Sequence, residues 1–337
     1  MNAKYKVGMM SICCWLVMVV LWIWPAVAGP IQFKLGFVTA ANEKDPYFIT
    51  ADKFSQLVAE YTQGRYEIKL FGSGQLGNDT DLVKNLSMGT IDFGVITNAP
   101  VGAFINPFMV LDLPFMFPSA NVAHEVLDGP AGKMLLEKLS KLSIKGLAFS
   151  EGGFRHMINN VRPVNTPADL KSVKYRVMKT PVYIGMFKSL GANAVPMPWG
   201  EVFTAAQQKV VDGLEIPVPV IYANKYYEVT KYLSLTGHTY SPLILMASNR
   251  IWKKISPEDQ ALFQKAALEA AAYERTVIAG IIRDYLENLK KEGMIVNQIA
   301  DKALFQEAVK PMYKEFEDKI GTHVLNIFLA ARDKAAD

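Results

Sequence analysis

An α/β architecture in two parts follows from three features of this 337-residue chain. Strand and helix patterns alternate between residues 31 and 96. The alternation resumes between about 142 and 215, and one unusually long helical run occupies 257–292. Alternating βα units imply a mostly parallel sheet covered by helices, and the length accommodates two domains.

The elements follow in order. Ile31 to Val38 begins with apolar/polar alternation and reads as a half-buried strand. Ala51, Phe54, Leu57, Val58 and Tyr61 recur at helical spacing, so a helix is expected from about Thr50, stopped by Gly64. Tyr66–Phe71 reads as a strand, Asp79–Met88 as a helix ended by Gly89, and Ile91–Ile96 as a third strand. Leu142–Ser150 and Val173–Met178 are expected strands. Pro181–Leu190, closed by Gly191, and Trp199–Lys209 are expected helices, and Val210-Val211-Asp212 leads into another strand. Ser256 suits the N-cap of the long run, Pro257 its first position, and Asp259 the far side of a capping box. Straight, that run would measure ~54 Å, enough to cross two lobes unless it breaks near Gly280. Ala303–Asp333 is helical with a kink expected at Pro311.

The N-terminus reads as an export leader. Lys4 and Lys6 precede an apolar run from Val7 to Trp24, Pro25 breaks it, and Ala26-Val27-Ala28 is an A-x-A site with cleavage expected after Ala28. A retained membrane anchor and a lipoprotein modified at Cys13 or Cys14 are the competing readings. Both cysteines lie in this segment, so the mature chain has no disulfide, thiol nucleophile or thiolate metal site. Without Lys4 and Lys6 the balance is 34 basic against 32 acidic residues, and no basic cluster exceeds the pair Lys253-Lys254. That argues against nucleic acid as a partner.

Gly72-Ser73-Gly74-Gln75-Leu76-Gly77 is a literal G-x-G-x-x-G, but it does not follow the first strand, and Asp92, the acid near the right offset, opens a strand. A tight turn into a helix is the expected reading, with no dinucleotide and no other cofactor. His124, His156, His238 and His323 lack metal-ligand spacing, so no metal is expected. No G-x-S-x-G elbow occurs. Glu201 and Glu215 are candidates for buried carboxylates, but two scattered acids do not make a glycosidase. Arg176 stands near the end of an alternating strand, and Arg155 follows Glu151-Gly152-Gly153-Phe154 at what reads as another strand end. A guanidinium at such a terminus faces the crevice where α/β sheets bind ligands and pairs bidentately with carboxylates. Taken alone, each arginine reads more readily as a surface or structural ion pair.

Several segments together resemble the solute-binding proteins of tripartite ATP-independent periplasmic (TRAP) transporters, the C4-dicarboxylate-binding-protein family. They are Gly74-Gln75-Leu76-Gly77, Gly89-Thr90-Ile91-Asp92-Phe93, Gly153-Phe154-Arg155, Thr166 to Lys171 running on to Arg176-Val177, Pro198 to Val202, Val211 to Glu215, Tyr227-Glu228-Val229 and Ser256 to Gln260. The resemblance runs from about Phe33 to about Phe316. It rests on order and spacing, since no single tetrapeptide is specific.

The resemblance implies a two-lobed, type II-like periplasmic-binding-protein fold with a long helix across both lobes. Lobe I would comprise 29–152 and 242–281, and lobe II 153–241 and 282–337. It implies a periplasmic protein, not an enzyme, that delivers an organic acid (a dicarboxylate, keto acid or sugar acid) to small and large TRAP membrane subunits. By resemblance Arg176 bonds the ligand carboxylate and Arg155 adds a second cationic contact. Around them the expected site holds Trp199 as an aromatic wall, with Thr97, Asn98, Ile216, Glu215, His156, Lys179, Gln75 and Tyr240. Ile216 stands where many members have a ligand-binding Asn, and Ile96-Thr97-Asn98 replaces an acid that sialic-acid binders carry. Two other readings remain at this stage. A sensor feeding a membrane receptor would use the same cleft, and an exported enzyme would need acid–base or nucleophilic groups that the sequence does not supply.

Overall fold

The computed structural model describes residues 29–336. The leader, its cleavage site and both cysteines lie outside the described residues. Among those described, no helix is long and apolar enough to cross a membrane.

Among the described residues, nine strands form one sheet. They are β1 (Ile31–Gly36), β2 (Tyr66–Phe71), β3 (Phe93–Thr97), β4 (Ile144–Asn159), β5 (Lys174–Val177), β6 (Asn193–Pro196), β7 (Gly213–Pro217), β8 (Tyr232–Ser248) and β9 (Ile295–Gln298). The order is β2-β1-β3-β8-β4-β7-β5-β6, with β9 beside β8. The strands β2-β1-β3 are parallel, as are β6-β5-β7. Between these parallel sets run β4 and β8, antiparallel to each other and to their other neighbours β7 and β3. The two βα regions are therefore halves of one mixed sheet, joined by two strands that belong to both.

That junction corrects the expected end of a strand at Ser150. β4 continues to Asn159, and Glu151-Gly152-Gly153 is a bulge within it, where the pairing to β8 shifts register. Gly153 has φ +99°, and a Cβ on Gly152 would stand 2.6 Å from the Ser241 carbonyl oxygen. These glycines permit close approach and bending at mid-strand. Arg155 consequently sits inside a strand, not at its end.

The first helix is Pro46–Tyr61, four residues earlier than expected, because Asp45 caps it and Pro46 opens it. The long helix runs unbroken from Pro257 to Lys291, through Gly280, and spans ~52 Å. Ser256 accepts from the Asp259 N–H at 3.1 Å. The reciprocal half of the capping box is replaced, because the Asp259 carboxylate receives both Arg65 Nη atoms at 2.6 Å and the Tyr66 hydroxyl at 3.1 Å. Phe33, Phe54, Tyr66 and Phe93 pack against Phe263 and anchor the helix to the first half. Tyr285, farther along, stacks on Tyr222 at 4.6 Å between ring centroids. The C-terminal region is three helices, Ala303–Val309, Pro311–Ile320 and Thr322–Ala336, where one kinked helix was expected. Pro311 starts the second, and Gly321 at φ +93° ends it.

Candidate ligand-binding cleft

Where the two halves meet, β4, β5, β7 and β8 direct side chains into a narrow cavity, about 400 Å³ of space between atoms with its open mouth included. Val38, Thr39 and Tyr47 close it from the first half, with Asp79. Arg176, Met178, Trp199 and Ile216 close it from the second, while Gly152, Arg155 and Ser241 come from the shared strands.

The two arginines are in different electrostatic situations. Arg155 is buried and already paired. Its Nε and Nη2 bind the Glu215 carboxylate, Nη2 also reaches the Glu215 carbonyl at 2.6 Å, and Nη1 donates to Ser241 Oγ at 3.3 Å. Glu215 is fully buried. Burial alone would raise its pKa, but Arg155 and His238 outweigh that and hold the carboxylate below its ordinary value. His238 Nε2 stands 3.4 Å from Glu215 Oε2, and its Nδ1 meets Thr236 Oγ1 at 2.8 Å.

Arg176 is 3% exposed. Its Nε and Nη2 both donate to the Met197 carbonyl, at 3.0 and 2.7 Å. Among the described residues no carboxylate lies within 4.0 Å of it, and burial lowers its pKa. A buried cation without a counter-ion is costly, and this one faces a cavity.

Asp79 lines the same cavity. It is the first residue of the helix Asp79–Met88, whose cap is Asn78. Its Oδ1 is buried with no hydrogen-bond partner, and burial raises the carboxyl to about 6 against the opposing field of Arg176. Nothing in the sequence marks Asp79 as more than a helix start. Ser241, Tyr47 and Thr39 were missed as well, because they reach the site only through folding.

Of the eleven expected residues, the structure gathers Arg176, Arg155, Trp199 and Ile216 around this cavity. Lys179 lines the adjoining groove, which also includes Asp79, Arg176 and Trp199. The others lie elsewhere. Glu215 sits behind Arg155 as its counter-ion. Thr97 Oγ1 meets Ser241 Oγ at 2.9 Å and supports the wall from behind. Asn98 donates to Asp112 Oδ1 at 2.7 Å, within the core. Tyr240 packs its ring between Phe117 and Phe154. His156 lines a different cavity. Gln75 is exposed at the turn after β2. Glu201 is exposed on its helix.

The glycine turn cannot cradle a pyrophosphate, because its backbone donors are engaged. Ser73 N–H binds the Thr39 carbonyl at 2.7 Å and Gly74 N–H the Phe37 carbonyl at 3.2 Å. Among the described residues no three His, Cys, Asp or Glu side chains converge as a metal site.

The family model for bacterial extracellular solute-binding protein, family 7 (DctP), matches residues 37–319. The 2,3-diketo-L-gulonate-binding periplasmic protein of Escherichia coli K12 is 35% identical over 307 residues, which are 91% of this chain and 89% of that protein. A C4-dicarboxylate-binding protein of Bacillus subtilis 168 is 31% identical over 305 residues, 90% and 87% of the two chains. Among solved structures, the sugar acid binding protein of Advenella mimigardefordensis in complex with galactonate has a TM-score of 0.88 at 34% identity, covering 91% of this chain and 99% of that one. A TRAP periplasmic solute-binding protein of Polaromonas sp. JS666 bound to D-erythronate has a TM-score of 0.86 at 35% identity, covering 89% and 98%. The family is one of periplasmic transport proteins and not of enzymes, and this chain belongs to it: it is a DctP-family, TRAP-type solute-binding protein.

Proposed function

We propose that the cleft captures a small hydroxylated carboxylate, of the sugar-acid class, and presents it to the small and large TRAP membrane subunits. One observation carries this reading: Arg176 is buried, lines the cavity and has no carboxylate partner among the described residues. A ligand carboxylate supplies the missing counter-ion. Arg155 is neutralised by Glu215, so its part is to shape the anion site and lend its remaining Nη1 donor capacity. Asp79 Oδ1 lacks a donor, which a ligand hydroxyl supplies. Trp199 and Ile216 offer apolar surface to the carbon skeleton. Galactonate and D-erythronate, bound by the two solved relatives, each combine a carboxylate with hydroxyls.

The lobes hinge at the bulge Glu151–Gly153 and opposite it at Ser241-Pro242. That divides the chain into 29–152 with 242–281 and 153–241 with 282–337. Closure over the ligand expels water and strengthens the ion pair. The leader, cleaved after Ala28, delivers the protein to the periplasm.

The test is a thermal-shift panel on protein unfolded, dialysed and refolded to remove carried ligand. It contains galactonate, erythronate, glucuronate, succinate and an uncharged polyol. A ligand at 100 times its Kd stabilises by ~2.7 kcal/mol. Hydroxy acids are expected to raise Tm above succinate and the polyol. A response to succinate alone would overturn the hydroxylated-acid assignment, and a response to the polyol alone would overturn the carboxylate reading.

A further inference from the structure

The β4 segment that supplies Arg155 to the cleft has a second face. Phe154 and His156 flank Arg155 in sequence and line a separate cavity, about 1430 Å³ of space between atoms with its open mouth included. We propose that this rear pocket is a second binding site, for a small aromatic monocarboxylate.

The apolar body of such a ligand is matched by Phe115, Phe117, Phe154, Ile278 and Ile282. Three rings and two isoleucine side chains from the long helix suit a flat hydrocarbon. The polar end is equally defined. The Gly237 N–H donates to His156 Nδ1 at 3.0 Å, so the imidazole carries its proton on Nε2 as a donor. Lys302 Nζ lies 3.1 Å, and His156 Cε1 3.8 Å, from the point where a Gly237 side chain would begin, so ammonium and imidazole share one end of the pocket. Among the described residues Lys302 has no carboxylate within 4.0 Å. The one acid in the lining, Glu151, is occupied by His124 Nε2 at 2.7 Å. Burial pushes His156 down to about 3, so the ring stays neutral and Lys302 is the cation. The cleft offers an unpartnered carboxyl oxygen to hydroxyls. In the rear pocket the one carboxylate is held by His124, and the ring-lined wall is what separates the two ligand classes.

Phenylacetate is the probe, titrated calorimetrically into the protein and into Arg176→Ala, Lys302→Glu and Lys302→Gln. Lys302 is exposed, so its variants are expected to fold, and circular dichroism checks this. The expected result is binding to the unmodified protein, a Kd within twofold in Arg176→Ala, and a Kd at least tenfold weaker in both Lys302 variants. Phenylacetamide, lacking the charge, should bind at least tenfold more weakly than phenylacetate. Absence of phenylacetate binding overturns the proposal. So does binding lost in Arg176→Ala, or kept in the Lys302 variants, since either places the acid in the cleft or elsewhere. Galactonate gives the opposite pattern if the cleft reading holds, so the two assignments fail independently.

Discussion

Replacing Arg176 with Met separates a ligand-facing cation from a structural one. The side chain is buried, and among the described residues its only acceptor within hydrogen-bond distance is the Met197 carbonyl. A hydrogen bond from a charged donor is worth ~1.5–3 kcal/mol, while desolvating an ion costs several kcal/mol even after relaxation. In the ligand-free protein these oppose each other, so Arg176→Met should leave unfolding free energy within ~1 kcal/mol of the parent or raise it. On the proposed reading, the ligand carboxylate is the principal counter-ion in the complex. Truncating one partner of a desolvated charged pair costs ~2–5 kcal/mol, or roughly 30- to 4,000-fold in Kd at 1.4 kcal/mol per decade. Calorimetry with the best acid from the panel, paired with urea unfolding of ligand-free protein, reads both quantities. An unchanged Kd with a large loss of ligand-free stability would refute the reasoning, because Arg176 would then be a structural residue.

Arg155→Ala should behave in the opposite way. It strands a buried Glu215, a change that costs ~3–5 kcal/mol, and urea unfolding should show that loss before any ligand is added. Asp112→Asn should alter the pH profile of stability. Burial raises Asp112 from 3.8 to about 8, so the folded state holds its proton more tightly than the unfolded chain. Its contribution is present in full below about pH 4 and is lost as pH rises to about 8. The Asn variant should flatten that fall, measured as Tm from pH 4 to 9; an unchanged slope would mean the group is not protonated in the fold. Gly152→Ala should destabilise by ~1–3 kcal/mol, because its Cβ meets a backbone oxygen at 2.6 Å that cannot swing aside. A Tm equal to the parent's would show that the bulge is slack.

Local periodicity made much of the fold legible. The helix Asp79–Met88 and the strand Tyr66–Phe71 were read to the residue, since Gly89 and the alternation act within a few positions. β8 was missed because all but the first of its seventeen residues are buried, which erases alternation. β4 was cut short because consecutive glycines signal a stop unless the partner strand is known. Arg176 was readable from its place at a strand end. Asp79 was not: its place in the cavity depends on the distance between a helix start in one half and β5 in the other, and no local pattern encodes that. Glu215 is a candidate buried carboxylate from sequence, but only the β4–β7 register, which sets it opposite Met157 and diagonal to Arg155, brings the two side chains together.

The cleft keeps two polar groups unsatisfied when it could have paired them. Among the described residues Arg176 lacks an anion and Asp79 Oδ1 lacks a donor, yet they are not within 4.0 Å of each other. Had they paired, a ligand carboxylate would have had to break an existing ion pair, and binding would have gained only the difference. Held apart, each keeps its full deficit until a molecule arrives with an anion and a hydroxyl at the matching separation. A simple monocarboxylate satisfies the arginine and leaves the aspartate unpaired; a neutral polyol does the reverse. Arg155, satisfied by Glu215 in advance, fixes the geometry between them without adding a second deficit. On the proposed reading, selectivity for a hydroxy acid follows from two separate penalties, each relieved by a different part of one ligand.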